Sequence, residues 1–190
     1  MIIGGKIARQ LTIEVFNPTT GSSCDYGEES NGRQGHTMCN NMVCGGERWG
    51  APRATTCRKH NGDSSFPLLP LTTVEERSWH LCWGLQSGEV LLLGGGRDQT
   101  QDTTELISAD GSSSSASFNL DYKVYAACGV EVGDKYVVTG GSTLEHTHLS
   151  TVARYSQSGE VEYLADLQQG RYYHACSKFV TASGETVRAT

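Results

Sequence analysis

The chain has 190 residues, room for one domain with a sizeable core, and carries 23 glycines, 4 prolines and a formal net charge of −6. That acidic balance opposes a grip on nucleic acid, which asks for a basic face. The longest purely aliphatic run, Val90 to Leu93, is far short of a membrane span, and the start MIIGGKIARQ lacks a charged region followed by a secretory apolar stretch.

MIIGG ends on Gly4-Gly5, and the same punctuation returns in MVCGG at Gly45-Gly46, EVLLLGGG at Gly94 to Gly96 and KYVVTGG at Gly140-Gly141. Glycine is the residue least suited to continue a β-branched, aromatic strand. First glycines lie 41, 49 and 46 residues apart, the interval of a repeat. A turn glycine keeps step with each pair, 17 residues on at Gly21, Gly62 and Gly111 and 19 on at Gly159, within NPTTG, KHNG, SADG and SQSG. A third marker is basic-x-x-His: Arg33 with His36, Arg77 with His80 and Arg171 with His174, with Lys123 and Ala126 in the matching slot.

Within a period the apolar pieces are short and divided by turns. Residues 77 to 122 show it best: HLCWGL and EVLLLGG flank QSG, TTELISAD follows a polar loop, and SASFNL follows a serine-rich turn. That order predicts an antiparallel meander of four strands, with essentially no helix. Inner strands are expected to begin near Thr37, Trp79, Tyr125 and Tyr173.

The combination of basic-x-x-His, an apolar strand ending in Gly-Gly, a strand such as TVARYSQSG and a turn into another strand resembles the kelch repeat. The pattern is divergent: a tyrosine ahead of the glycine pair survives only as Tyr136, and the usual outer-strand tryptophan is absent, with Phe66, Phe118 and Tyr163 as stand-ins. The resemblance implies an all-β, kelch-type β-propeller with about four blades' worth of four-stranded sheets. Residues 1–32 would form a partial blade, 33–76, 77–122 and 123–170 three whole blades, and 171–190 the inner strand of a further one. An incomplete propeller leaves edges that invite self-association; closure of residues 171–187 onto 1–26 as a four-bladed ring is the alternative.

Seven cysteines cannot all pair within one chain. Cys82, Cys128 and Cys176 each stand two residues past the histidine slot, and are expected to be free thiols wedged between blades. Cys39, Cys44, Cys57 and His60 form C-x4-C-x12-C-x2-H, a faint echo of a zinc site; a disulfide or free thiols are expected instead, and Cys44 and Cys57, across adjacent strands, are the pair placed to bond. Such a disulfide would favour an oxidising compartment. Glu145-His146-Thr147-His148 offers two imidazoles without a third ligand, so loop histidines are expected rather than a metal centre. SADG is read as a turn, and the repeated His36, His80 and His174 as structural.

No phosphate loop, nucleophile elbow or paired carboxylates stand out. The expected function is therefore a non-enzymatic binding module for a protein or peptide, with no cofactor. A glycan- or small-ligand-binding propeller and a galactose-oxidase-like kelch enzyme are the alternatives. In a four-stranded meander the loops after each glycine pair share one end with those leading into the inner strands. That end would carry Arg48, Trp49, Arg53, Arg97, Asp98, His146 and His148, residue types favoured as interface anchors.

Overall fold

The computed structural model describes residues 2–3, 12–17, 19–28, 33–47, 54–60, 68–96, 102–112, 114–181 and 184–189. Among them there is no helix, and so none long and apolar enough to cross a membrane. The chain is all-β, in five antiparallel sheets whose strands pair with their neighbours in sequence. The first holds β1 (Ile2–Ile3), β2 (Thr12–Asn17) and β3 (Ser22–Glu28), and the second β4 (Thr37–Cys39), β5 (Met42–Cys44), β6 (Thr56–Lys59) and β7 (Leu68–Thr72). The third has β8 (Leu81–Gly84), β9 (Val90–Leu93), β10 (Thr103–Ile107) and β11 (Ser114–Asn119); the fourth has β12 (Cys128–Val132), β13 (Lys135–Thr139), β14 (Val152–Tyr155) and β15 (Val161–Tyr163). β16 (Cys176–Thr181) and β17 (Gly184–Ala189) make the fifth, so the last segment supplies two strands where one is expected from sequence.

Tight turns follow local chemistry. Asn40 and Asn41 adopt φ of 43° and 62°, the left-handed pair that a two-residue hairpin loop demands and that asparagine tolerates. This is how the short segment HTMCNNMVC closes a hairpin at all.

The core lies between sheets. β9 is buried along its whole length, and its alternate residues face opposite neighbours. Leu91 and Leu93 join Trp83, Tyr136, Val138 and Tyr155 in a cluster with the fourth sheet, while Val90 and Leu92 join Met42, Cys44, Cys57 and Leu69 in a cluster with the second. A four-residue aliphatic strand is what a sheet covered on both faces requires. The first strands β4, β8, β12 and β16 lie side by side in succession.

Each of the three later glycine pairs is a crossing point between two sheets; Gly4-Gly5 lies outside the described residues. Gly45, Gly94 and Gly140 donate their N–H groups within their own sheet, to the carbonyls of Thr56, Thr103 and Thr151. Gly46, Gly95 and Gly141 donate instead to the next sheet, to Arg77, Val124 and Arg171 at 2.7, 2.8 and 2.8 Å. All six have positive φ. A Cβ on Gly45 would stand 2.5 Å from the Arg77 carbonyl oxygen, and one on Gly140 would stand 2.5 Å from that of Arg171.

These bonds correct the sequence register at one repeat. Val124 rather than Lys123 occupies the slot of Arg77 and Arg171, so Ala127 rather than Ala126 stands where His80 and His174 stand. The slot asks for a main-chain carbonyl, which any residue supplies. The inner strands also begin later than expected, at Leu81, Cys128 and Cys176, because Trp79, Ala126 and Tyr173 have φ of 55°, 52° and 51° and interrupt extended backbone just upstream.

Alanine at Gly45 or Gly140 should lower unfolding free energy by about 3 kcal/mol, since a clash with a neighbouring carbonyl adds to the conformational strain. Gly133, at φ 62° with nothing within 4 Å of an added Cβ, is the control, and its alanine variant should lose only about 1 kcal/mol. Urea titrations of the three variants check this; equal losses at all three would show that crowding at the crossing is unimportant.

Candidate functional site

The turns leading into four successive first strands are strung together by the main chain. Trp79 N–H donates to Gly35 O at 2.7 Å, Ala126 N–H to Trp79 O at 2.9 Å, and Tyr173 N–H to Ala126 O at 2.9 Å. A left-handed tryptophan, alanine and tyrosine each carry strain of about 1 kcal/mol or more, tolerated only where the surroundings fix them. What the strain secures is a convergence of rings.

Trp79 and Tyr173, from the third and fifth sheets, meet edge to face with centroids 4.8 Å apart. Tyr125, from the turn between them, lies 6.4 Å from Tyr173. Tyr172 lies 5.0 Å from Tyr173 and stacks on His148 at 4.2 Å. The indole also covers Gly35, where a Cβ would sit 2.8 Å from its carbons. Tyr125 is buried beneath, whereas Tyr172 and Tyr173 are 39% and 49% exposed. Edge-to-face pairs of this kind contribute about 0.5–1.5 kcal/mol beyond area burial and hold rings at fixed angles.

Glu47 stands at the rim. It accepts from Gln34 Nε2 at 3.1 Å, Trp79 Nε1 at 3.4 Å and Ser78 Oγ at 3.4 Å, while Gln34 and Glu47 also exchange both main-chain hydrogen bonds. The carboxylate is thus engaged in orienting the indole.

Arginine and histidine clasp the sheets below this face. Arg33 Nη1 donates to Gly45 O at 2.8 Å and Thr56 O at 3.3 Å, and Arg77 Nη1 to Gly94 O at 2.7 Å and Thr103 O at 3.0 Å. Each side chain braces its own sheet; the Arg77 main chain serves the preceding one. Arg77 is buried with Glu105, and burial lowers its pKa against the opposing pull of Glu105 and Glu75. His80 Nε2 and Thr37 Oγ1 share a hydrogen bond at 2.6 Å, and His174 Nε2 and Thr139 Oγ1 one at 2.9 Å, so each imidazole ties its strand to the sheet before it.

Of the residues expected to bind, His146 and His148 lie on the exposed loop between β13 and β14, His146 in a tight turn at φ 57° and His148 against Tyr172. Arg48, Trp49, Arg53, Arg97 and Asp98 lie outside the described residues. The sequence reading missed Trp79, Tyr125, Tyr172 and Tyr173. Their signal is an aromatic residue just past three of the four basic markers, in RSWH, KVYA and RYYH but not in RQGH.

The cysteines require a correction. Cys82, Cys128 and Cys176 are not free thiols: Cys82 is bonded to Cys39, and Cys128 to Cys176, each bridging the first strands of neighbouring sheets. Cys44 and Cys57, directly opposed on β5 and β6, form a third disulfide. With Cys39, Cys44 and Cys57 all in disulfides, the C-x4-C-x12-C-x2-H pattern is not a thiolate site. Among the described residues no group of three or more His, Cys, Asp or Glu is placed to hold a metal ion.

No family model matches the chain, and no curated protein matches it. A solved structure described as "Structure of YjhT" superposes with a TM-score of 0.67 at 13% identity, over 80% of this chain and 58% of that one. At that identity the likeness is one of fold alone, and the chain spans little more than half the length of the structure it matches.

Burial, with the charge of Arg77 and the proximity of His36, lowers the His80 pKa from 6.5 to about 3. Between those values the unfolded chain binds the proton and the folded one does not. Its contribution is therefore complete above about pH 6.5 and declines as pH falls toward 3, with a slope of up to about 1.4 kcal/mol per pH unit. Urea midpoints between pH 7.5 and 5 should fall less steeply in His80→Asn than in the parent chain. Parallel profiles would contradict the burial of a neutral imidazole.

Proposed function

We propose that the sheets are blades of a kelch-type β-propeller, and that the chain is a portion of such a propeller serving as a non-enzymatic module that binds a protein or peptide. Support for the architecture comes from the glycine-pair crossing repeated at three sheet junctions and from the adjacent first strands. In this reading the first and fifth sheets, with three and two strands, are incomplete blades, and their edges are the source of any self-association.

The single observation that carries the binding role is the aromatic face of Trp79, Tyr172 and Tyr173, with His148 stacked on Tyr172. Tyrosine and tryptophan present large amphipathic surface with few rotatable bonds, and here their main chains are already fixed, so little ordering entropy remains to be lost on association. Loops bearing such residues on a rigid sheet scaffold are a common site of recognition. Arg48, Trp49, Arg53, Arg97 and Asp98 belong to the same proposed face on the strength of the sequence. Three disulfides fit folding in an oxidising compartment.

Selection from displayed peptide and protein-domain libraries on the oxidised chain, beside a glycan array, tests the reading. Selected binders should lose about ten-fold or more in affinity to Tyr173→Ala or to the combined Arg48→Ala, Trp49→Ala, Arg97→Ala variant, each checked for folding. Undiminished binding by both places recognition elsewhere. Selective glycan capture would replace the protein-binding role, and turnover of a sugar or alcohol would overturn the non-enzyme reading.

A further inference from the structure

Gly170 stands two residues before Tyr172, in the connection between β15 and β16. Its φ is not positive, so its backbone conformation would suit other residues; what the position lacks is space. A Cβ there would run into the carbonyl oxygen of His148 and stand 2.9 Å from the carbonyl carbon, with the carbonyl carbon of Leu149 at 3.2 Å.

This close approach lies where two main-chain segments run side by side. Arg171 N–H donates to Leu149 O at 3.1 Å and Leu167 N–H to Ser150 O at 2.8 Å. On the other side Leu149 N–H donates to Gly141 O at 2.9 Å, and Ser142 and His148 form an antiparallel bridge. Residues 148–150 are thereby held between their own sheet and the connection that carries Gly170. Toward the tip of the loop, Thr143 N–H donates to Thr147 O at 3.1 Å and His146 closes the turn at φ 57°. The effect is felt at the rings. His148 and Tyr172 stack with centroids 4.2 Å apart and planes 21° from parallel, and Tyr172 lies 5.0 Å from Tyr173.

We infer that Gly170 is a positioning residue of the aromatic face: having no side chain, it lets the His148 main chain close on the connection, which sets the imidazole over Tyr172 and fixes the angle at which that ring meets a partner. The inference rests on the binding role proposed above and adds a residue that acts on the partner only through His148 and Tyr172. A methyl group at 170 is relieved most cheaply by displacement of the loop, because Leu144 to His148 are exposed and can shift without opening the core. Tyr172 then regains rotamers that a partner must freeze again, which weakens binding by about three- to ten-fold.

Proton NMR of the oxidised parent chain and of the variants Gly170→Ala, His148→Ala, His148→Phe, Gly170→Ala with His148→Ala, and Gln168→Ala as an exposed control tests this. In the parent the His148 ring protons should be displaced upfield by the Tyr172 ring. Gly170→Ala should lose most of that displacement and Gln168→Ala none. The same proteins are then titrated with a Tyr173-dependent binder selected from the peptide and protein-domain libraries. Gly170→Ala and His148→Ala should each weaken it about three- to ten-fold, whereas His148→Phe, which keeps a stacking ring, should bind within about two-fold of the parent. The double variant should lose no more than either single one, since both act through one stack. Additive losses, or an unmoved imidazole in Gly170→Ala, overturn the inference. A displaced imidazole with undiminished binding also overturns it and leaves the binding role standing. Failure to find any binder counts against the binding role, and the ring shifts then decide the positioning. Should Gly170→Ala not fold, the ring shift of the parent and the two single His148 variants decide: an undisplaced imidazole, or equal binding by His148→Ala and His148→Phe, overturns the inference.

Discussion

A pair of adjacent N–H groups, one turned into its own sheet and the other into the next, is the interaction on which the rest of this molecule depends. Gly45, Gly94 and Gly140 complete the ladder to the third strand; Gly46, Gly95 and Gly141 leave it for a carbonyl in the following sheet. Two consecutive residues at positive φ are needed to turn the donors apart, and the neighbouring carbonyl leaves no space for a Cβ at Gly45 or Gly140. Glycine alone meets both demands. The apolar strand before each pair can be buried on both faces because this crossing brings the next sheet into contact with it.

The crossing also places the candidate site. Its acceptor, at Arg77, Val124 or Arg171, lies two residues before the left-handed position that begins the next turn. The successive turns are thereby stacked closely enough for Trp79 to bond Gly35, Ala126 to bond Trp79, and Tyr173 to bond Ala126. Aromatic side chains from sheets far apart in sequence converge there. Histidine and disulfide clasps act on the same strands: His80 and His174 each reach a threonine of the preceding sheet, and two of the three disulfides bridge neighbouring first strands. Closing separations of 43 and 48 residues, each of those bonds stabilises by about 4 kcal/mol in the chain-entropy account.

Much of this was legible because the crossing is written in residue type. Glycine pairs, turn glycines and the strand lengths between them follow from backbone geometry, and the β content and meander order can be read from them. The register slipped at Lys123 because the marker chosen there was charge, whereas the requirement is a main-chain carbonyl; arginine is an added brace where it occurs, not the condition for the slot. The cysteines misled for a related reason. Cys82, Cys128 and Cys176 were aligned by spacing, but Cys128 stands opposite Thr139 on β13 as Leu81, not Cys82, stands opposite Leu93 on β9. Bonds form between unlike slots of neighbouring strands, and sequence periodicity compares like slots. The aromatic face was overlooked because its members sit within the basic-x-x-His marker itself, at x positions that the pattern treats as silent.

The central claim concerns three amides, and native-state hydrogen exchange resolved by residue tests it most directly. In the oxidised chain, Gly46, Gly95 and Gly141 should exchange as slowly as Val43, Leu92 and Val138 of the strands that precede them, because opening any one requires two sheets to part. Exchange of those glycines at the rate of an exposed turn residue such as Gln157, with the strands still protected, would contradict the crossing and with it the account of how these sheets are held together.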